Sequence, residues 1–254
     1  MRQLSRTWEL LALLTVRELK LRYQDTALGF LWSLIKPLLL GAVLYLALRR
    51  VIRIDIEDYQ LFLLTALFPW FWFQTSILLA TPAFANNGNL IKKVYFPRFV
   101  LPFSTVANNM IHYFLSLPIL LIFVLISGER PGPAWLIGIP VLATVQLALL
   151  MGIVLLVASF DVFFRDLEHL VEVFLNLWFY VTPILYPLSM VPEGLKPLIL
   201  INPMTPVIES WRELFMDNAL PGPELLLSVA FAAAALVVGG TVFRRLEGGF
   251  ADAL

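Results

Sequence analysis

No cysteine occurs in the 254 residues, which rules out a disulfide framework, a thiolate nucleophile and a cysteine-ligated metal. Charge is scarce as well: Asp, Glu, Lys and Arg make up 14% of the chain, against about 25% in a soluble domain. The formal net charge is zero, so bulk charge points to no nucleic-acid partner. His112 and His169 are the only histidines, too few for a histidine metal cluster, which needs several convergent donors. There is no G-x-x-x-x-G-K-[ST] phosphate loop, so ATP is not bound by that mode, and neither H-E-x-x-H nor an EF-hand pattern occurs. Asp161, Asp166, Glu168 and Glu172 stand beside the end of an apolar run, where solvated charge is ordinary. No apolar run carries a ladder of ionisable residues for a proton relay, which argues against an ion-coupled transporter. A cleavable signal peptide is not expected either. The apolar Leu10 to Leu14 leads directly into Arg17, Glu18, Lys20 and Arg22, with no small-residue cleavage site.

What is present is apolar. Hydrophobic residues make up 60% of the chain and the mean hydropathy is +0.85, which indicates an all-α integral membrane protein. Runs long enough for a hydrocarbon core of ~30 Å, about 20 residues each, lie at 27–48, 61–84, 99–126, 134–160, 170–188 and 225–243. Six transmembrane helices in one transmembrane domain, 1–254, are therefore expected. Between Tyr186 and Pro223 the chain is apolar yet broken by seven prolines. It predicts short re-entrant helices over 190–220 on the outer side, since non-helical backbone at that depth must lie against protein or water. Pro69 is expected to bend the second span unless neighbours satisfy the freed carbonyl.

Residues 7–24 predict an N-terminal amphipathic helix at the membrane interface. Trp8, Ala12, Val16, Leu19 and Tyr23 fall on one face, and Glu18 and Arg22 pair at i, i+4. This helix runs straight into the first span, so a force on one is felt by the other. Placing both termini in the cytoplasm puts about twice as many Lys and Arg residues inside as outside, the orientation favoured by the positive-inside rule. The pair Arg49 and Arg50 runs against it.

Two features stand above this background. One is the set of aromatics in or near spans, among them Trp32, Tyr45, Trp70, Trp72, Phe174, Trp178 and Tyr180. Such rings serve interfacial belts and packing, or line a passage for sugars. The other is the basic loop LIKKVYFPR, Leu90 to Arg98, which serves as a lipid-facing patch or as a knob gripped by a soluble motor protein. Read from the residues alone, a transporter, a membrane-embedded glycan or lipid enzyme and a structural subunit all remain open.

The segments LRYQDTALGFLWSLIKPLL (21–39), LFPWFWF (67–73), NLIKKVYFPRFVLP (89–102), TPILYPLSMVP (182–192) and INPMTPVIESWR (201–212) resemble the permease subunits of type-2 ABC exporters for polysaccharides. The matches span nearly the whole chain, in order. The resemblance implies a homodimer in the bacterial plasma (inner) membrane that pairs with two copies of a separate ABC ATPase. ATP and Mg would sit on that partner, with no cofactor on this chain. It implies a cytoplasmic coupling helix over 87–97, with Asn89, Leu90, Ile91, Lys92, Lys93, Val94 and Tyr95, joined by Arg17 and Glu18 of the interface helix, contacting the ATPase. The implied cargo is a lipid-linked glycan such as O-antigen on undecaprenyl pyrophosphate; teichoic acid, capsular polymer, a drug or a small lipid are alternatives. Tyr45, Phe174, Trp178 and Tyr180 are its candidate channel aromatics, and Arg22, Lys36 and Arg98 its candidate pyrophosphate or headgroup cations.

Overall fold

The computed structural model describes the backbone of residues 2–23, 29 and 31–254, and the side chains of 7–20, 29 and 31–254. The expected joint at 23–29, apart from the Tyr23 backbone and Gly29, and the Arg22 side chain lie outside the described residues. Every regular element described is helical. In chain order these are α1 (Arg2–Tyr23), α2 (Leu31–Leu44, continued by a π-helical stretch Tyr45–Val51), α3 (Tyr59–Ala80), α4 (Ala83–Asn86), α5 (Gly88–Lys93), α6 (Val100–Ile126) and α7 (Ala134–Asp161). Then follow α8 (Leu167–Val181), α9 (Lys196–Ile201), α10 (Met204–Met216), α11 (Leu225–Leu246) and α12 (Phe250–Ala253). Among the described residues five stretches are long and apolar enough to cross a membrane: Leu31–Val51, Tyr59–Ala80, Val100–Ile126, Ala134–Asp161 and Leu225–Ala253.

The bundle is organised around α3. Of its apolar stretch 78% is buried, against 17% for Leu31–Val51 and 22% for the last span. Its sequence is apolar on every side, as a helix surrounded by others requires, and α2, α6, α7, α8 and α10 all pack against it. α3 runs unbroken through Pro69. Beside this point Gln146 of α7 donates from Nε2 to the Pro69 carbonyl at 2.8 Å and accepts at Oε1 from Trp211 Nε1 of α10 at 3.0 Å. One buried amide therefore ties three helices. The helix stops at Ala80, ahead of Pro82, rather than reaching Phe84 as the apolar run suggests.

α7 and α11 pack along each other at a glycine crossing. A Cβ on Gly239 would stand 2.1 Å from the Gly152 carbonyl oxygen, and one on Gly152 would stand 2.3 Å from the Ala235 carbonyl carbon. Backbones this close need residues without side chains, the small-residue packing typical of membrane helices. Gly29, just before α2, adopts φ +50, a conformation glycine enters without steric cost, and its carbonyl accepts from Trp32 N.

α8 differs from expectation. Its helix covers Leu167–Val181, 15 residues, whereas the apolar run reaches 188. Pro183 has no N–H and disfavours helix at the residue before it; Thr182 is extended at ψ 137, with its hydroxyl on the Trp178 carbonyl. The proline-studded stretch beyond folds as a single 3-10 turn (Leu188–Met190), α9 and α10.

A second, smaller core lies where α1, α4, α5, α6, α7, α11 and α12 meet. It contains Leu14, Phe84, Ile91, Val100, Leu101, Leu155, Ala158, Phe243 and Phe250.

Candidate functional site

The connection from α3 to α6 forms the first part of the site. After α3 ends, Asn87 both closes α4, through Nδ2 on the Ala83 carbonyl at 2.9 Å, and starts α5, its carbonyl accepting from Leu90 N and Ile91 N. Asn89, Lys92, Lys93, Val94 and Tyr95 face outward, Tyr95 fully exposed, while Ile91 is buried and Leu90 packs beside it in the second core. The seven residues assigned to coupling thus divide into an anchor, Leu90 and Ile91, and an outer face of two lysines, an amide, a valine and a tyrosine. A groove of about 800 Å³ runs beside them, walled by Ile91 to Phe99 and by Phe243, Arg244, Glu247 and Gly248.

α1 docks onto α6 by a face other than the one on which Trp8, Ala12 and Val16 fall. Trp8, Ala12 and Val16 are exposed, whereas Leu14 and Thr15 are buried and Leu11 packs beside Leu14. The Glu18 carboxylate accepts from Ser104 Oγ at 2.8 Å and Thr105 Oγ1 at 3.1 Å. Arg17 is exposed. Of the two α1 residues assigned to coupling, only Arg17 presents its side chain freely; Glu18 is engaged with α6.

The four channel candidates also divide. Phe174 and Tyr180 are 58% and 65% exposed on α8, next to exposed Leu170, Val173, Leu177 and Val181, and Leu175 is the one buried residue of that helix. Trp178 is half-buried against α3, edge-on to Phe73 at 5.3 Å and Trp70 at 6.4 Å, with Phe174 at 5.0 Å on its other side. Tyr45 stands apart, half-buried in a small cavity with Arg49, Tyr59 and Phe123.

The three candidate cations are not gathered in one place. Lys36 lines a cleft of about 390 Å³ between α2, α3 and α6, with Trp32, Gln74, Asn109 and His112 among its walls; Ser33 Oγ and His112 Nδ1 are 3.3 Å apart there. Arg98 lines the α5 groove instead, and its Nη1 donates to the Glu247 carbonyl. Arg22 lies outside the described side chains.

Sequence reasoning did not single out Arg212. It is nine-tenths buried, donates from Nη1 to Glu209 Oε1 at 2.7 Å and from Nη2 to the Pro183 carbonyl at 2.9 Å, and lies over the Phe62 ring. Tyr59 OH donates to the Leu185 carbonyl, and Asn202 Nδ2 to Thr182 Oγ1, each at 2.8 Å. These three side chains hold the exit from α8. The signal was the one cation in MTPVIESWRELF, between two glutamates. Nearby, burial and the carboxylates of Glu209, Glu224 and Asp217 raise Glu213 above the ordinary carboxylate value, with Arg212 opposing. Among the described residues no group of three or more His, Cys, Asp and Glu side chains could hold a metal.

The geometry is that of a multi-pass membrane protein with an exposed basic loop and an uncovered apolar helix. Comparison with known proteins agrees. The profile of the family described as "ABC-2 type transporter" matches residues 9–216. An O-antigen export system permease protein RfbA of Klebsiella pneumoniae is 38% identical over 247 residues, 97% of this chain and 95% of its own. Its namesake from Myxococcus xanthus is 35% identical over 257 residues, 100% of this chain and 98% of its own. A polysialic acid transport protein KpsM of Escherichia coli is 24% identical, over 92% of each chain. With its helices, loop and end-to-end similarity in agreement, this chain belongs to the ABC-2 type transporter family.

Proposed function

We propose that this chain is the permease subunit of an ATP-driven exporter that carries O-antigen, linked to undecaprenyl pyrophosphate, across the bacterial inner membrane. The observation that carries this reading is the similarity to O-antigen export permeases, 35–38% identity over nearly the full chain. In this account both termini are cytoplasmic and there are six spans, α8 being the fifth. Its helix is ~22 Å long at 1.5 Å per residue, so the turn and bend after Val181 complete the crossing. α9 and α10 form the re-entrant outer segment.

The chain acts as a homodimer. The exposed apolar faces of α2 and α8, where Leu39, Val43 and Leu46 join Phe174, Leu177 and Tyr180, are covered by a second copy or face the glycan. Phe174 and Tyr180 offer ring faces to the sugars, with Trp178 set behind them and Tyr45 apart, at its own cavity. Two copies of a separate ATPase bind at the outer face of α5 and at Arg17, and ATP and Mg are held there. ATP-driven closure pushes on α5 and on α1, the segment between α1 and α2 moves the first span, and the path opens. The pyrophosphate is attracted at the cytoplasmic side by Arg22, Arg98 and Lys36. The Lys36 cleft suits it, offering a mobile point charge for a phosphate among hydroxyl, amide and imidazole groups.

Deleting the gene in a strain with long-chain lipopolysaccharide is expected to remove the O-antigen ladder and leave lipid-linked polymer inside the cell. An unchanged ladder overturns the reading. The similarity to a polysialic acid transport protein supports a second reading, export of a capsular polymer by the same machinery; loss of capsule with O-antigen intact would select it.

A further inference from the structure

We propose that residues 247–254, which follow α11, form a strut that fixes α5 beneath the membrane helices, with Phe250 as its positioning side chain. The Phe250 ring is fully buried. It lies 4.8 Å from Phe84 of α4, 6.1 Å from Phe243 of α11 and 6.2 Å from Phe163 in the turn after α7. Phe84 and Phe243 stack on each other at 5.8 Å. One side chain thus joins the ends of three helical segments that the sequence keeps far apart.

Two further contacts flank it. The Arg98 guanidinium, just ahead of α6, donates to the Glu247 carbonyl, and a Cβ built on Gly88, the first residue of α5, would meet Leu254 Cβ at 3.4 Å. α5 is six residues long, too short to hold its place by its own hydrogen bonds. It is anchored by Ile91 and by this strut. The strut in turn continues α11, locked to α7 through Gly152 and Gly239. A push on the outer face of α5 therefore reaches the α7–α11 pair as well as α3 and α6. Without the strut, α5 yields locally and the push is lost.

This inference rests on the reading of α5 as the ATPase contact, and the experiment separates the two. The protein, in nanodiscs with its ATPase, is compared with Phe250→Ala and Phe250→Leu. Hydrogen exchange at residues 89–94 is expected to speed up at least tenfold in Phe250→Ala and to return most of the way in Phe250→Leu, with α3 unchanged. Parental exchange in Phe250→Ala overturns the strut, whatever the ATPase does. The ATPase is expected to co-purify with Phe250→Ala, while stimulation of hydrolysis by lipid-linked glycan falls tenfold or more. Loosened exchange with full stimulation keeps the strut and overturns α5 as the coupling contact. The absence of native cysteine allows a second arm, because Gly88→Cys with Leu254→Cys places two Cβ atoms near the ~3.5–4.5 Å of a disulfide. Oxidation is expected to leave export at the reduced level, because strut and α5 move as one body. Export blocked by oxidation and restored by reductant would show that the segment must detach, and would overturn the proposal.

Discussion

The guanidinium carbon of Arg212 lies 3.6 Å from the centroid of the Phe62 ring. This contact puts a cation against the N-terminal end of α3 while the same group holds Glu209 and the carbonyls of Pro183 and Ile184. The ring face supplies negative potential where water cannot, and the carbonyls belong to the turn that follows α8. Burial pulls Arg212 below its ordinary pKa, and the Glu209 carboxylate beside it opposes that shift.

Replacing Arg212 by Met should be costly. Glu209, whose side chain is 21% exposed, loses its partner, and two carbonyls lose a charged donor. Breaking such a pair costs about 3 kcal/mol or more. A melting temperature in detergent several degrees below the parent is expected, with Arg212→Lys intermediate because an ammonium lacks the planar fork. Parental melting of Arg212→Met would mean that the end of α8 is held by other groups.

The raised pKa of Glu213 gives a pH dependence with a definite sign. Its proton is bound more tightly in the folded chain than in the unfolded one, so the stability it contributes is present at low pH and lost as pH rises through the folded value. Glu213→Gln should therefore melt above the parent at about pH 8, with the difference closing near pH 4, where an ordinary carboxylate takes up its proton. A difference that does not change with pH would contradict this.

At the α7–α11 crossing, Gly239→Val is expected to abolish folded protein in the membrane, because its Cβ would overlap the Gly152 carbonyl. Gly240→Ala, whose Cβ meets nothing within 4 Å, should accumulate at parental levels. Equal yields from both variants would place the crossing elsewhere.

Much of this was legible in the sequence, because long apolar runs between charged loops need no tertiary information. The helices α6 and α7 start and stop within a residue of the runs that announce them, and α5 overlaps the start of the basic loop. Three things were not legible. The exit from α8 depends on Thr182 and Pro183 acting together with partners from α3 and α10. The docked face of α1 carries Leu10, Leu11 and Leu14 together with Glu18, which accepts from Ser104 and Thr105, rather than the stripe of Trp8, Ala12 and Val16. Phe250 looks like one apolar residue in a short tail until Phe84, Phe163 and Phe243 are brought around it. Each of these depends on side chains distant in sequence, and periodicity carries no record of such partners.

The central claim is that this chain is moved by a separate ATPase to export a lipid-linked glycan. It is tested most directly by purifying the protein from its own membrane, reconstituting it in nanodiscs, and measuring ATP hydrolysis with and without the purified lipid-linked glycan. The account predicts a co-purifying ATPase whose rate rises with the glycan, and loss of that rise when Lys92, Lys93 and Tyr95 are replaced together by Ala. Purification without any ATPase, or a rate indifferent to the glycan and raised instead by small amphiphiles, would contradict it.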